Sequence, residues 1–358
     1  MIIFSPGPAN ISEKVRKALT LPDISHRGEE FASILDECRK NLLKICGAEK
    51  RYKSVVFTGS GTAAIEASIT AIKGITDQLF VISNGHYGER ASEIGRYAGL
   101  KVKEVKFPST ALPDLKTIKK ELERYDGRFV YVVHHETTTG LLNPLREIAA
   151  LCKRYGKTLL VDGVSSIAGE ELDLQGWEIG LVIGSANKCI RGIPGLSFVI
   201  LRKSLLKDLS RSKRCGYYLN LVKHHEAEEA GQTPFTPAVQ AFYGLREALR
   251  ELLKEGVDNR IQKYKETSAF LRKRLRAAGY KPLIDDSISS NTMTSVILPP
   301  GADYETLYGI CKDKGFVIYN AIGNLRGKTF RVGTVGIITK RDITGFLEVL
   351  KDFRKRAR

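Results

Sequence analysis

The sequence predicts an α/β protein with two parts: a larger one built on a mostly parallel sheet of seven strands, and a smaller α+β part at the C-terminus. Short apolar runs alternate with helical patterns through the first two-thirds of the chain, which is typical of a parallel sheet with crossover helices. Several runs are continuously β-branched or aromatic, as expected for strands buried on both faces. After about residue 240 the pattern changes to long helical stretches followed by a few short strands.

Seven segments of the first part are predicted strands. They are Ser54–Thr58, Leu79–Ser83, Lys101–Lys106, Phe129–Val133, Thr158–Asp162, Leu181–Gly184 and Ser197–Leu201. Helical patterns lie between them, for example at Thr62–Ile72, Tyr87–Ala98 and Asn143–Tyr155. This alternation predicts βαβ units, so the strands should share one sheet in which most of them run parallel.

The C-terminal part is predicted to begin with two long helices, at Val239–Leu253 and Asp258–Ala278. The shorter elements that follow are a strand at Met293–Leu298, a helix at Tyr304–Lys314, strands at Gly315–Tyr319 and Thr329–Val332, and a helix at Lys340–Arg354. We therefore expect two domains. Residues 1–240 form the larger domain, with an N-terminal segment that lines the site, and residues 241–358 form the smaller one.

Composition excludes several classes of protein. Hydrophobic residues make up 42% of the 358 residues and charged residues 27%, which excludes a disordered, coiled-coil or collagen-like chain. No apolar run approaches the roughly 18 residues that a membrane helix needs. The N-terminus lacks the basic and apolar regions of a signal peptide. We therefore expect a cytoplasmic protein that does not bind membranes.

Neither the charge nor the metal-ligating residue types predict a further partner. The chain has 57 Lys+Arg against 40 Asp+Glu, a net charge of +17, but the two signs are interleaved, as in Lys116–Arg124. That pattern is typical of solvated helix faces, so we expect no nucleic-acid binding and assign the positive field to attraction of small anionic substrates. The six cysteines are scattered singly and the adjacent histidine pairs do not suit chelation, so no metal site is expected.

Two groups of residues follow predicted strands and could carry chemistry. Gly59–Thr62 stands between a strand and a helix, where glycines and free amides favour a bound phosphate; an ordinary turn with a helix-capping threonine is the alternative. Asp162 ends one strand and Lys188 follows the next, so both face the carboxyl edge of the sheet. A lysine, a carboxylate and a phosphate cup suit pyridoxal phosphate (PLP), whereas a helix cap and a surface lysine are the alternatives.

Three motifs are distinctive in combination: Glu136–Leu145 (ETTTGLLNPL), Val161–Ser166 (VDGVSS) and Ser185–Gly195 (SANKCIRGIPG). Together they closely resemble the 2-aminoethylphosphonate–pyruvate aminotransferases, which belong to the class V aminotransferases. Further similar blocks occur in the family's order at Ser5–Pro8, Gly59–Thr62, Ser83–Arg90, Gly315–Tyr319 and Phe330–Gly333. The resemblance implies a fold-type-I PLP-dependent transferase that works as a homodimer with shared active sites.

The resemblance also implies roles for individual residues. Lys188 matches the lysine that forms the Schiff base, and Asp162 matches the partner of the pyridine nitrogen. The matching cofactor-binding residues are Ser60, Gly61 and Thr62 at the phosphate, Tyr87 stacked on the ring, Thr138 at the ring oxygen, and Thr233 at the neighbouring subunit's phosphate. Arg331 matches the arginine that grips the substrate carboxylate, for which a planar guanidinium is well suited.

One block departs from the phosphonate branch. Near residue 25 that branch carries an acidic, tryptophan-containing stretch, whereas this chain has Ser25–Phe31 (SHRGEEF). The block is more similar to glyoxylate and serine aminotransferases and to phosphoserine aminotransferase, in which a His-Arg pair contacts the substrate phosphate. His26 and Arg27 are therefore predicted to bind substrate, with a helix-capping pair as the alternative.

On this resemblance we expect an aminotransferase that moves the amino group of 2-aminoethylphosphonate to pyruvate, giving phosphonoacetaldehyde and alanine. The alternative is a serine/alanine–glyoxylate or phosphoserine aminotransferase of the same family. A cysteine desulfurase shares the fold, but the surroundings of Cys215 do not resemble the mobile loop that carries its catalytic cysteine. A non-enzymatic anion-binding protein is the remaining alternative, which an absorbance spectrum would separate from the enzyme.

Overall fold

A computed structural model describes residues 1–356. The strands are β1 (Ile2–Ile3), β2 (Tyr52–Thr58), β3 (Gln78–Ser83), β4 (Lys101–Lys106), β5 (Phe129–Val133), β6 (His135–Glu136), β7 (Leu141–Leu142), β8 (Thr158–Asp162), β9 (Leu181–Ser185), β10 (Leu196–Arg202), β11 (Met293–Ile297), β12 (Phe316–Val317), β13 (Tyr319–Asn320) and β14 (Thr329–Gly333). The helices are α1 (Glu13–Ala18), α2 (Glu29–Ile45), α3 (Gly61–Ile72), α4 (His86–Tyr97), α5 (Leu115–Glu123), α6 (Leu145–Arg154), α7 (Lys203–Arg211), α8 (Leu221–Glu229), α9 (Val239–Glu255), α10 (Val257–Ala277), α11 (Tyr304–Asp313) and α12 (Lys340–Arg356).

Seven strands form one large sheet in the order β2-β10-β9-β8-β5-β3-β4. The pairs β3–β4, β3–β5, β5–β8 and β8–β9 are parallel, whereas β10 runs antiparallel to both of its neighbours. Each predicted strand of the first part overlaps one of these seven. The prediction of a mostly parallel seven-stranded sheet is therefore confirmed.

Alternate side chains of the central strands enter two separate apolar clusters, one on each face of the sheet. In β3, Phe80 and Ile82 join one cluster while Leu79 and Val81 join the other. Helices α1, α2, α5, α6 and α9 cover the first face, and α3, α4, α7 and α8 cover the second. The strands are continuously apolar because both of their faces are buried.

A third apolar cluster holds the C-terminal elements together and includes the start of the chain. It contains Phe4 beside Phe330 and Phe346, on the antiparallel sheet β11-β14-β13 and helix α12. Strand β1 pairs in parallel with β12, and the Phe4 amide donates to Val317 O at 2.8 Å. The N-terminal strand is thus anchored to the C-terminal part, and the residues after it run back toward the large sheet.

The segment Gly315–Tyr319, predicted as one strand, forms two. Phe316–Val317 pairs with β1, whereas Tyr319–Asn320 pairs with β14. The prediction of a single strand is wrong because the chain changes sheets at Ile318, whose side chain is buried in the third cluster.

The division into domains at residues 240 and 241 stays a prediction, and its last two residues, 357 and 358, lie outside the described part. The apolar side chains of α9 pack with the large sheet, whereas the buried residues of the third cluster other than Phe4 come from Leu271, inside α10, and the residues after it. Among residues 1–356, no helix is both long enough and apolar enough to cross a membrane.

Candidate active site

A cavity of about 420 Å³ opens at the carboxyl edge of the large sheet. Its walls are the segments that follow β2, β5, β8 and β9, together with the first turns of α3 and α4. Because the carboxyl ends of these strands meet at one edge, residues far apart in sequence converge there. Six predicted site residues line the cavity: Ser60, Gly61, Thr62, Tyr87, Asp162 and Lys188.

Lys188 lies under the N-terminal segment. Its Nζ donates to Pro6 O at 2.9 Å, and a Cβ added at Gly7 would lie 2.4 Å from Nζ. Gly7 also has a φ of +144°, so only glycine fits this close approach without strain. Burial lowers the pKa of the Lys188 amine to about 8, because desolvation disfavours the ammonium form, and the charges of Arg331 and Arg90 act in the same direction. The amine is therefore partly neutral, and nucleophilic, near neutral pH.

Asp162 is a buried carboxylate at the end of β8. Oδ1 accepts from the Val164 amide at 2.9 Å and Oδ2 from the Tyr131 hydroxyl at 3.2 Å. Burial raises the pKa of Asp162, while these two hydrogen bonds and the charges of Arg90 and Lys188 oppose that rise. The carboxylate is held in place and can accept a hydrogen bond from a cationic ring nitrogen in the cavity.

The N-terminus of α3 forms the end of the cavity that suits an anion. Ser60 is the N-cap, and its side chain makes no capping hydrogen bond to the helix. The first amides of a helix have no intrahelical acceptor, and the helix dipole favours negative charge there. Gly61 packs against Val164, since a Cβ added to it would lie 3.0 Å from Val164 Cγ2. Together with the Thr62 hydroxyl, this turn can hold a phosphate group.

Glu136 fixes the turn that carries Tyr87. This fully buried carboxylate accepts from the Tyr87 amide at 3.2 Å and from the Thr138 amide and hydroxyl at 3.0 and 2.5 Å. A Cβ added at Gly85 would lie 2.4 Å from Glu136 Cδ, so glycine is needed beside it. Burial raises the pKa of Glu136, and the hydrogen bonds from Thr138 and Tyr87 oppose that rise. The sequence singled out the ETTTG motif but not this role of its first residue.

The three threonines of that motif are used differently. The Thr138 hydroxyl bonds Glu136 and accepts from the His86 amide at 3.2 Å, whereas Thr137 lines the cavity and Thr138 is not among its lining residues. The role of Thr138 at the cofactor ring stays a prediction, and Thr137 has the position that the role requires.

Arg331 lies on β14 and is buried next to the cavity. Nε donates to Asn320 O at 3.0 Å and Nη1 to Thr137 O at 3.4 Å. Its charge contributes to the lowered pKa of Lys188, so the two groups are near each other. Arg331 is not itself a lining residue, and these two carbonyl contacts direct its guanidinium toward the cavity side of the ETTTG loop.

His26, Arg27 and Thr233 lie outside the cavity of their own chain. The exposed Arg27 donates from Nη1 to Thr233 O at 2.9 Å and to Gln232 Oε1 at 3.1 Å. The Thr233 hydroxyl donates to Phe235 O at 2.8 Å. Arg27 is thus hydrogen-bonded to the backbone of Thr233, whose own side chain is buried, and the predicted roles of both residues stay predictions. Cys215 is also absent from the cavity wall.

Two titratable residues that line the cavity, His135 and Arg90, were not predicted as site residues. Burial lowers the pKa of His135 to about 4, so its ring is neutral; Nδ1 lies 3.3 Å from Ser165 O. Its buried Nε2 has no hydrogen-bond partner among residues 1–356. The signal for His135 is its place just after β5, at the carboxyl edge of the sheet. The signal for Arg90 is its spacing of three residues from Tyr87 on one helix.

The residues present fit PLP. The cavity offers a partly neutral amine, a fixed carboxylate, a helix N-terminus with free hydroxyls and an aromatic ring, and the unpartnered Nε2 of His135 is left for a polar group inside it. These are the contacts that the aldehyde, ring nitrogen, phosphate and flat face of PLP require. Within residues 1–356 no cluster of three or more His, Cys, Asp or Glu side chains could hold a metal ion.

Comparison with known proteins gives a consistent family. Residues 10–318 match the family described as aminotransferase class-V. The chain is 35% identical to a 2-aminoethylphosphonate–pyruvate transaminase of Syntrophobacter fumaroxidans, covering 98% of this chain and 95% of the relative. It is also 35% identical to a protein of the same description from Bacteroides fragilis, covering 98% of each.

Solved structures share the fold over the whole chain. An alanine–glyoxylate aminotransferase from Nostoc sp. superposes with a TM-score of 0.92 at 26% identity, covering 98% of this chain and 94% of the other. The fold of this chain is therefore a known architecture.

Proposed function

The chain belongs to the class-V aminotransferase family and is a PLP-dependent transaminase, and on that premise we propose that it transfers the amino group of 2-aminoethylphosphonate to pyruvate. Phosphonoacetaldehyde and alanine are the products. The observation that carries the choice of substrates is the 35% identity, over nearly the full length of both chains, to relatives described by this reaction. We place the activity in the cytoplasm, as the sequence predicts.

Different residues of the cavity would bind different parts of PLP. Lys188 would hold the cofactor covalently through its amine, Asp162 would bind the ring nitrogen, and Tyr87 would cover one face of the ring. Ser60, Gly61 and Thr62 would bind the phosphate. When bound, PLP draws electrons from the carbon that carries the amino group and makes a proton on that carbon acidic.

Side chains of this protein then act on two protons, one on the donor carbon and one on the ring nitrogen of the cofactor. Once the incoming amino donor has replaced it, the free Lys188 amine, whose pKa burial lowers to about 8, would take the proton from the donor carbon, because a partly neutral amine is a competent base near neutral pH. Asp162, fixed by Val164 and Tyr131, keeps a proton on the ring nitrogen. Arg331 binds the carboxylate of pyruvate through its guanidinium. The Pro6–Gly7 segment lies against Lys188 and limits the entry of water.

The enzyme works as a homodimer whose active sites are shared. Support comes from the hydrogen-bonded pair of Arg27 and Thr233, which does not line the cavity of its own chain. Beside it lie the exposed Tyr217 and Tyr218, the latter stacked on Phe235 with ring centroids 4.7 Å apart. Exposed aromatic side chains of this kind are typical of protein interfaces.

Mixing two inactive variants tests the shared site. Lys188→Ala removes the lysine of one site, and Thr233→Ala removes the threonine lent to the other chain's site. A mixed dimer should contain one site with both residues intact, so refolding the two variants together should restore part of the tight PLP binding and turnover. No recovery in a verified mixed dimer would contradict the shared arrangement.

Half-reactions with single amino donors test the substrate. We expect 2-aminoethylphosphonate to discharge the cofactor band faster than phosphoserine, serine or alanine at equal concentration. Arg27→Ala should slow this half-reaction at least about tenfold and leave alanine unaffected if Arg27 reads the phosphonate, since loss of a charge pair costs about 2–5 kcal/mol. A preference for serine or phosphoserine would reject the proposed donor, and equal losses for all donors would make Arg27 structural.

A further inference from the structure

Arg90 has a position in the cavity to which no role has been assigned. It lies on the second turn of α4, three residues after Tyr87, and both side chains line the cavity. The Arg90 guanidinium lies over the Tyr87 ring, 4.7 Å from its centroid. Nη1 reaches Thr62 Oγ1 at 3.5 Å, at the N-terminus of α3. Arg90 therefore joins the aromatic wall of the cavity to its phosphate cup.

Among the residues that the structure describes, no carboxylate lies at hydrogen-bonding distance from Arg90. Among residues 1–356 its one hydrogen bond is the long contact to Thr62. Arg96, six residues further along the same helix, instead forms an ion pair with Glu104 at 3.1 Å. A half-buried guanidinium that is not hydrogen-bonded to a counter-ion is costly, because a more distant charge such as that of Asp162 offsets its desolvation only in part. The Arg90 guanidinium is thus available to pair with an anion in the cavity.

The groups around Arg90 indicate which kind of anion it would bind. The nearest neutral donors are the free amides of the α3 N-terminus and the hydroxyls of Ser60 and Thr62, which together suit a phosphate dianion. These groups are all neutral, so they leave the phosphate's charge uncompensated. The other two candidate arginines lie elsewhere: Arg331 contacts the ETTTG loop and Arg27 contacts Thr233.

We propose that Arg90 is the counter-ion of the cofactor phosphate: stacked on Tyr87, its guanidinium adds charge-assisted hydrogen bonds to the anion held at the α3 N-terminus. This assignment depends on the PLP site and not on the identity of the amino donor. It predicts that Arg90 recognises the phosphate group of PLP and contributes nothing to binding of the ring alone.

The test compares PLP with pyridoxal, which lacks the phosphate, on cofactor-free protein. Arg90→Gln should weaken PLP binding at least about tenfold, as loss of a charge-assisted bond to phosphate implies, while pyridoxal binding changes less than about twofold. Inorganic phosphate should compete with PLP on the parent protein and much less on the variant. Arg90→Lys, which keeps the charge without the bidentate geometry, should lose less than Arg90→Gln. Arg96→Gln, on the same helix, is the matched control and should change neither ligand.

Two results would overturn the proposal. Equal loss of PLP and pyridoxal affinity in Arg90→Gln would mean that Arg90 only supports Tyr87. Unchanged PLP affinity with a raised KM for 2-aminoethylphosphonate, but not for alanine, would assign Arg90 to the donor's phosphonate. Either result leaves the proposed reaction standing, since it is tested by the donor half-reactions.

Discussion

Reaction of Lys188 with an aldehyde in the cofactor-free protein should follow a titration with its midpoint near pH 8. Burial of the amine under the Pro6–Gly7 segment lowers its pKa to about 8 from the ordinary 10.5. At pH 7 a pKa of about 8 leaves roughly one amine in ten neutral, whereas 10.5 leaves roughly three in ten thousand. The buried amine should therefore react about 300-fold faster at pH 7 than an exposed lysine of equal intrinsic nucleophilicity.

Stopped-flow absorbance with subsaturating pyridoxal measures this rate without a contribution from phosphate binding. The series runs from pH 6 to 10.5, and the slow background of other lysines is subtracted with Lys188→Ala. We expect the rate to rise tenfold per pH unit below the midpoint and to level off above about pH 8.5. A rate that climbs steadily to pH 10 would refute the argument, because it would show that the fold does not suppress protonation of this amine.

Three substitutions test the remaining parts of the site. Asp162→Asn should retain PLP but lower kcat at least about 100-fold, since loss of the ring-nitrogen partner costs several kcal/mol at about 1.4 kcal/mol per tenfold in rate; near-normal turnover would remove Asp162 from the mechanism. Arg331→Lys should raise the KM for pyruvate at least about tenfold, because an ammonium cannot replace the guanidinium fork, and an unchanged KM would place the carboxylate elsewhere. Gly7→Ala should displace the Lys188 side chain and slow its reaction with pyridoxal, because the new Cβ would lie 2.4 Å from Nζ at a φ of +144°; a parent-like rate would show that the segment gives way.

The large sheet could be predicted because its strands are short, apolar and separated by helical patterns. Burial on both faces makes runs such as Phe129–Val133 continuously apolar, and that signal needs no knowledge of the fold. The meeting of Asp162 and Lys188 also followed from the sequence, since both residues stand at the carboxyl ends of neighbouring strands. The turn at Gly59–Thr62, which lines the cavity and is predicted to bind a phosphate, is a local signal and could be recognised in the same way.

Contacts between distant segments could not be predicted. The approach of Pro6 and Gly7 to Lys188 depends on the pairing of β1 with β12, which joins the two ends of the chain. The use of Glu136 as the support of the Tyr87 turn depends on the packing of α4 against β6, and a buried glutamate has no signature in the sequence. Arg27 is the reverse case: a motif suggested substrate contact, and the single chain places the side chain against Thr233.

The choice among the three ETTTG threonines illustrates the same limit. The three threonines lie in a hydrogen-bonded turn, where adjacent side chains point in different directions, and only the fold decides which one faces the cavity. Thr137 lines it, whereas the hydroxyl of Thr138 is taken by Glu136.

Whether Lys188 is the residue to which the cofactor is joined can be measured directly. Protein loaded with PLP is reduced with borohydride, digested, and the labelled peptide is sequenced by mass spectrometry. We expect one labelled residue per chain, Lys188 in the SANKCIRGIPG segment, and no label in the Lys188→Ala variant. Stoichiometric label on any other lysine of the parent protein would contradict it.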